Sequence, residues 1–429
     1  MTIHACNKEQ LMSHHTKETA YDVVLQQLDS VAKIMNMSDE IVRVLQKPQR
    51  LMEVSFPVRM DNGDVKTFQG FRSQHNRALG PTRGGTRLHH EETIDDVKAL
   101  SFWMTIKNSL AGIPSGGGKG GIVVDPAAHS AGELERICRG YIQAIYPMLG
   151  HDVDVFGPDV GATQQVMTWF MDEYERLLHE HRNSSFTGKP LLLGGSQGRA
   201  QSTGFGLVCS AGEFLRRENK SLEGMNVAIQ GFGNLGSHAA LNFAKRGAKV
   251  VALTDVFGGI YNSKGIDVAA ALEHLKATGS IKGLAGCDAM TNDELLAVKC
   301  DILVPAAMQN QLTEDNAGKV QATYVVEGAN GPTTPGGEKI MLDRGIKLLP
   351  DIVANCGGVV TSYFENVQNR YCFYWPETEV LERLGTLMVQ TCANVCTVAE
   401  GKKIPMRVAA WVMALDRVIE AMRLRGWVK

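Results

Sequence analysis

Three cationic side chains stand in glycine-rich surroundings in the first third of this 429-residue chain. They are Arg83 in Gly80-Pro-Thr-Arg-Gly-Gly, Lys107 in Trp103-Met-Thr-Ile-Lys-Asn, and Lys119 in Gly116-Gly-Gly-Lys-Gly-Gly. Glycine lets a backbone approach a ligand closely, so such cations suit a small anion. A phosphate loop of the P-loop kind is excluded, because position 113 is Ile instead of Gly and Lys119 is followed by Gly instead of Ser or Thr. Taken one at a time, each cation reads as an ordinary surface charge. A second constellation lies further on. Gly231-Phe-Gly233-Asn234-Leu-Gly236 has the G-x-G-x-x-G spacing, with the apolar run Val227-Ala-Ile before it and a helical pattern after it. Asp255 follows 19 residues after Gly236, at the end of the next apolar run. That context turns a weak pattern into a dinucleotide-binding fingerprint, with pyrophosphate on the helix N-terminus and the acidic residue on a ribose hydroxyl. Asp255 would repel a 2′-phosphate, which favours NAD; NADP stays open.

The elements that must position these residues can be read from periodicity. Residues 16–47 show a helical stripe through Val24, Leu28, Val31, Met35, Ile41 and Leu45. Alternating residues on either side of Asp61-Asn62-Gly63-Asp64 predict a hairpin, its Asn-Gly pair favouring a primed turn. A helix over 91–110 is opened by Thr93 and ended by the glycine-dense stretch 112–121, with a short strand at 121–125. Residues 132–149 read as helix and 152–161 as an irregular loop holding Asp159. The Gly-, Ser- and Pro-rich stretch 188–206 marks a domain boundary. Beyond it, strands at 226–230, 249–254, 301–304, 324–327 and 347–349 alternate with helices, as in a largely parallel sheet. Helices over 377–397 and 408–424 close the chain.

Composition narrows the classes. Hydrophobic residues make up 44% and charged residues 21%, within the globular range, and a net charge of −2 gives no basic field for nucleic acid. The nine cysteines contain no C-x-x-C pair, and no metal-ligand spacing appears. Residues 1–15 are polar without an apolar signal core, and no run nears the ~18 apolar residues of a membrane span. The expectation is a cytoplasmic protein.

Several runs together resemble the glutamate dehydrogenase family, the Glu/Leu/Phe/Val amino-acid dehydrogenases. They include Gln74-His-Asn-Arg-Ala-Leu-Gly-Pro-Thr-Arg-Gly-Gly, Gly116-Gly-Gly-Lys-Gly-Gly-Ile-Val-Val-Asp-Pro, Gly157-Pro-Asp-Val-Gly, Gly231-Phe-Gly-Asn-Leu-Gly, Glu327-Gly-Ala-Asn and Asn355-Cys-Gly-Gly-Val-Val-Thr-Ser-Tyr-Phe-Glu. The matches run in order from about residue 51 to the C-terminus. The resemblance implies an α/β fold of two domains. One is a substrate-binding and oligomerisation domain over 1–199, to which helices over about 400–429 return. The other is a Rossmann-like dinucleotide-binding domain over 200–399. It implies reversible oxidative deamination of an L-amino acid, glutamate first among them, with NAD as hydride acceptor, and a homohexamer. It places Lys107 on the substrate α-carboxylate, Lys119 at the α-carbon to activate water, and Asp159 as proton carrier for the amino group. Arg83 and Ser362 would contact the side-chain carboxylate, Thr203 and Asn355 the nicotinamide amide, and Asn330 its ribose. A lysine among other cations gives up its proton more readily, which suits base chemistry.

Glutamate-specific members usually carry Lys where this chain has Arg83, and leucine or phenylalanine members an apolar residue. A guanidinium can hold a carboxylate through two parallel bonds, and buried without one it is costly. A charged substrate side chain is therefore expected. A dehydrogenase of another acidic or polar amino acid, and an inactive dinucleotide-binding paralogue, remain open. Cys356, where a small apolar residue is expected, reads as a buried thiol.

Overall fold

The computed structural model describes residues 19–429. The polar start over residues 1–15 lies outside the described residues, as do the first residues of the helix expected from 16. What remains of that expectation is two helices, α1 (Ala20–Met35) and α2 (Asp39–Leu45). Asn36 enters the left-handed region at φ 51° and stops α1, and Ser38 caps α2. One continuous stripe therefore concealed a break.

The first sheet holds β1 (Arg50–Arg59), β2 (Val65–Asn76), β3 (Thr82–His89), β4 (Gly116–Val123) and β5 (Asp154–Pro158), in the order β1-β2-β4-β3-β5. β1, β2 and β4 pair antiparallel, while β4, β3 and β5 run parallel. The hairpin forms, but not through a primed turn. Gly63 alone has positive φ (90°), and Gly63 N–H donates to Met60 O inside a loop closed by Met60 N–H to Asp64 O. This is a three-residue connection with Gly in the left-handed position, the bulged alternative to the two-residue turn.

Three sequence expectations for this half are corrected. The glycine-dense stretch is not a loop leading to a strand at 121: it is strand β4 itself. The expected irregular loop at 152–161 contains β5, and β3, which carries Arg83, was not anticipated. Glycines are needed here because backbone meets backbone. A Cβ on Gly84 would lie 1.6 Å from Gly118 O, and one on Gly117 would lie 2.1 Å from Ser101 O. Ser101 belongs to α3 (Ile94–Leu110), capped by Thr93 as expected, which lies directly on β4. Asn108 donates to Gly116 O at 2.7 Å, and Gly117 N–H donates to Thr105 Oγ1 at 3.0 Å. Those bonds fix the last turn of α3 and so aim Lys107. The other face of the sheet is covered by α4 (Ala131–Ile145), with α5 (Gln164–Leu178) beside it, around a core of Phe56, Tyr141, Phe156 and Phe170.

α6 (Ser202–Arg216) opens the second half. Its sheet has the order β12-β11-β10-β6-β7-β8-β9. The chain runs through β6 (Asn226–Gln230), α7 (Asn234–Lys245), β7 (Lys249–Asp255), β8 (Gly258–Tyr261), α8 (Val268–Thr278), β9 (Asp288–Met290), α9 (Asn292–Leu296) and β10 (Ile302–Pro305). β11 (Tyr324–Val326), α10 (Pro335–Asp343), β12 (Lys347–Leu349) and α11 (Asp351–Ala354) follow. The five strands β12, β11, β10, β6 and β7 are parallel, and β8 and β9 extend the edge antiparallel. The central strands are buried throughout, which is why they read as continuous apolar runs.

Three helices then knit the halves together. α12 (Gly357–Tyr371) presents Ser362, Glu365, Asn366 and Asn369, spaced as one helical face, to the segment 183–194 of the first half. α13 (Glu377–Lys402) packs on α6. α14 (Met406–Leu424) crosses to α3, where Trp411 stacks on Phe102 and Arg417 donates to Ser109 O and Gly112 O.

Candidate active site

A cavity of about 590 Å³ lies between the two sheets. Of the residues singled out from sequence, Arg83, Lys107, Asp159, Thr203, Asn330, Asn355 and Ser362 line it. A larger hollow of about 770 Å³ between α12 and α13 contains none of them, so size does not choose the site and the convergent charged groups do.

On the substrate side, the sequence reading of isolated surface cations fails for two of the three. Arg83 and Lys119 are each 3% exposed. Arg83 donates to Ser362 O at 3.1 Å, its Nε finds no partner, and no carboxylate pairs with it among the described residues. Burial pulls its pKa down to about 10, against the opposing pull of Tyr363, Glu365 and Asp154, so it stays charged at neutral pH. Ser362 Oγ lies 2.6 Å from Thr187 Oγ1, and Ser362 lines the cavity with Arg83. Lys107 spans the cavity, donating to Asn330 Oδ1 at 3.3 Å and so linking the two halves directly.

Lys119 is not on the cavity wall: it stands behind Asp159 and is hydrogen-bonded to Asp159 Oδ2. The other oxygen, Oδ1, accepts from Arg87 Nε at 3.2 Å and from Val160 N–H at 2.8 Å. Burial would raise the Asp159 pKa. The Lys119 charge and hydrogen bond, then Arg87 and the Val160 amide, outweigh it and hold the carboxyl well below its ordinary range. Asp159 is thus held as a carboxylate by the cations around it. Sequence reasoning missed Arg87, and it also missed Arg199, another buried guanidinium on the cavity wall with an unpartnered Nε and a pKa lowered by burial. The only signal for Arg199 was a cation in a Gly/Ser-rich stretch just before a helix, and that stretch read as a domain boundary.

The fingerprint turn adjoins the cavity. Gly231 takes φ 92°, and a Cβ there would strike Ala307, a wall residue. A Cβ on Gly236 would lie 1.8 Å from Gly231 O, so α7 sits hard on β6, whereas Gly233 faces open space, as pyrophosphate requires. Asn234 begins α7, and its Nδ2 donates to Ala200 O at 2.8 Å. Asp255 ends β7, and its carboxylate is already engaged. Oδ2 accepts from Ile281 N–H and Ser280 Oγ, both at 2.7 Å, while Oδ1 accepts from Phe257 N–H at 2.8 Å. Burial pushes its pKa up, but these hydrogen bonds prevail and keep it ionised. Oδ1 retains acceptor capacity for a ribose hydroxyl.

Asn355 supplies a test of fit for a nicotinamide amide. Its Nδ2 donates to Gly328 O (3.1 Å) and Asn330 Oδ1 (2.9 Å), while its Oδ1 is buried without a partner. An amide N–H₂ on a ligand would satisfy that acceptor. Cys356 is fully buried, bonded to Ile352 O, and burial pushes its thiol up to about 11, in keeping with a packing role. Among the described residues no group of three or more His, Cys, Asp or Glu side chains is placed to hold a metal ion, and no helix is long and apolar enough to cross a membrane.

Known proteins are similar to this chain in sequence and in fold. The model of the Glu/Leu/Phe/Val dehydrogenase dimerisation domain matches residues 48–176, and that of Glutamate/Leucine/Phenylalanine/Valine dehydrogenase matches residues 194–426. A catabolic NAD-specific glutamate dehydrogenase of Bacillus subtilis is 47% identical over 91% of this chain and 92% of its own length. An NAD-specific glutamate dehydrogenase of Clostridioides difficile is 43% identical over 95% and 98%. Among solved structures, glutamate dehydrogenase from Peptoniphilus asaccharolyticus superposes with a TM-score of 0.88 at 40% identity, covering 95% of this chain and all of that one. The hetero-hexameric glutamate dehydrogenase from Thermus thermophilus, in a Leu-bound form, gives 0.89 at 37% identity, covering 96% and 99%. With two family models spanning most of its length and relatives well above 40% identical, this chain belongs to the Glu/Leu/Phe/Val dehydrogenase family of oxidoreductases.

Proposed function

We propose that the protein catalyses reversible oxidative deamination of L-glutamate, with NAD⁺ and water, to 2-oxoglutarate, ammonium, NADH and a proton. The observation that carries glutamate over an apolar amino acid is Arg83. It is a buried guanidinium without a carboxylate partner among the described residues, on the same cavity as Lys107 and as Asp159, to which Lys119 is hydrogen-bonded. A substrate with two carboxylates meets both demands, one at Lys107 and one at Arg83 with Ser362. The NAD-specific glutamate dehydrogenases among its relatives support the same choice of substrate and cofactor.

In this mechanism Lys107 and Arg83 orient the substrate by its two ends. Asp159, held ionised, accepts a proton from the substrate ammonium, leaving the neutral amine whose α-carbon can release hydride. Gly231, Gly233, Asn234 and Gly236 would hold NAD at its pyrophosphate, Asp255 and Asn330 at the riboses, and Thr203 and Asn355 at the amide, and the bound cofactor would supply the hydride acceptor. Lys119, in its neutral form, takes a proton from water as it adds to the iminium carbon; Asp159 then protonates the carbinolamine nitrogen, and ammonia leaves as the hydroxyl proton passes back to Asp159. Closing the two halves on the cavity excludes bulk water from these steps.

A spectrophotometric screen of the common amino acids with NAD and with NADP tests the reading. NADH formation is expected with glutamate and little with leucine; the opposite ranking sinks the charged-pocket assignment, and silence with every amino acid sinks the enzyme.

We further infer that the substrate half extends to about residue 199 and the dinucleotide half over 200–399, with 400–429 returning to the first. The contacts of α14 with α3 support this division. The assembly we propose is a homohexamer in the cytoplasm, and light scattering should give six times the 46.7 kDa chain mass.

A further inference from the structure

Behind the Lys119–Asp159 pair lies a second carboxyl group that the mechanism does not use. Glu92 sits in the turn between β3 and α3, where its N–H donates to His89 O, and its side chain is 1% exposed. Its carboxyl lies against β4 at Gly121. A Cβ on Gly121 would come within 2.5 Å of Glu92 Cγ and 3.1 Å of Oε1. Gly121 is two residues beyond Lys119 on the same strand and so faces the same side, and it pairs in register with Arg87 of β3. The carboxyl therefore occupies a pocket made by a missing side chain, next to both cations.

Glu92 Oε2 accepts from Arg87 Nη1 at 3.4 Å, and Arg87 Nε reaches Asp159 Oδ1 at 3.2 Å. Glu92 Oε1 is buried with no partner. The result is a chain of four alternating charges, Glu92–Arg87–Asp159–Lys119, closed to solvent at the Glu92 end. We infer that Glu92 is a positioning residue for the catalytic pair, and that its gain or loss of a proton sets how strongly Arg87 holds Asp159 and how much positive charge surrounds Lys119. This inference rests on the proposed roles of Lys119 and Asp159.

The groups facing Glu92 agree. Burial pushes its pKa up to about 7. Arg87 from β3 and Lys119 from β4 oppose that rise, while Asp96 of α3 and Asp159 add to it. Tyr141 of α4 also feels the Glu92 charge, and it is neutral at physiological pH because burial raises its phenol above the ordinary value. A carboxyl titrating near neutrality changes the net charge of the four-residue chain within the working range of the enzyme. With Glu92 protonated the chain carries one excess positive charge; with Glu92 ionised it is neutral.

The test is the pH dependence of kcat and kcat/KM for Glu92→Gln, which keeps the shape and removes the titration, beside Glu92→Asp. With the Glu92 charge removed, Arg87 is left with Asp159 as its carboxylate partner and favours the ionised Asp159 more strongly, which should move the acid limb of the glutamate-deamination profile to lower pH, by on the order of one pH unit. Glu92→Asp, which keeps a titrating group, should retain a limb close to that of the unaltered enzyme. KM for NAD should not change. If Glu92→Gln is active and its profile superimposes on that of the unaltered enzyme, or if it lowers kcat equally at every pH, the inference is overturned while the dehydrogenase reading stands. If Glu92→Gln does not fold, Glu92→Asp decides: an unshifted limb with Asp and a shifted limb with Glu92→Ala support the inference, and equal limbs in both overturn it. Absence of activity in the unaltered protein would overturn the dehydrogenase reading itself.

Discussion

Lys119→Ala should abolish glutamate turnover, lowering kcat by about 10³- to 10⁴-fold, while NADH still binds nearly as before. The expected loss is at the upper end of what a positioned acid–base group contributes. Lys119 is buried and hydrogen-bonded to Asp159, which lines the cavity. Asp159 and Arg87 would remain together in the variant, so the substrate amine would still meet a carboxylate. What disappears is the group that activates water at the iminium carbon. Lys119→Arg should fail almost as completely, since a guanidinium does not give up its proton at any working pH. Because Lys119 touches no residue of the fingerprint turn, NADH fluorescence titration should separate lost chemistry from lost folding. Near-normal turnover in Lys119→Ala would remove the residue from the mechanism.

Arg83→Leu should lower kcat/KM for glutamate by about 10²- to 10³-fold, the order expected when one partner of a buried charge pair is removed. The same variant should gain activity on leucine, because the wall that met a carboxylate becomes apolar. Its thermal stability should hold or rise. In the free enzyme Arg83 is a buried charge with an unpartnered Nε, a state that costs stability and that only a bound carboxylate relieves. Arg83→Lys should keep much of the glutamate activity, as an ammonium still offers a charge though not the two-pronged geometry. Measuring both substrates together with the melting temperature gives three independent readings. Unchanged glutamate kcat/KM in Arg83→Leu would mean that the carboxylate is held elsewhere, with Arg199 the first alternative.

The two halves were not equally legible in the sequence. The central strands of the second sheet announced themselves because burial on both faces demands unbroken apolar runs, and Gly231 to Gly236 completed the signal. In the first sheet the site-bearing strands are the ones that composition hides. β4 opens with five glycines and one lysine, and branched side chains appear only at its end, in Ile122 and Val123. Glycine is depleted from strands in general, so the stretch read as a loop. Yet its glycines are what allow Asn76, Ser101 and Gly84 to press against the backbone and bring Lys119 under Asp159. β3, with Thr82-Arg-Gly-Gly-Thr-Arg, lacks alternation for the same reason. The resemblance to a family supplied the roles that spacing could not. It did not supply Glu92 or Arg87, whose importance is visible only when two strands and a turn are placed side by side.

The polypeptide passes from one half to the other before α6 and passes back before α14, where Arg417 and Trp411 fasten it to α3. A body tethered to another at two points retains one easy freedom, swinging about the line that joins the tethers, whereas twisting or sliding would strain one of them. Under the proposed function, such a swing would bring the nicotinamide and the amino acid together along a single arc, with the returning helix as the second pin of the joint.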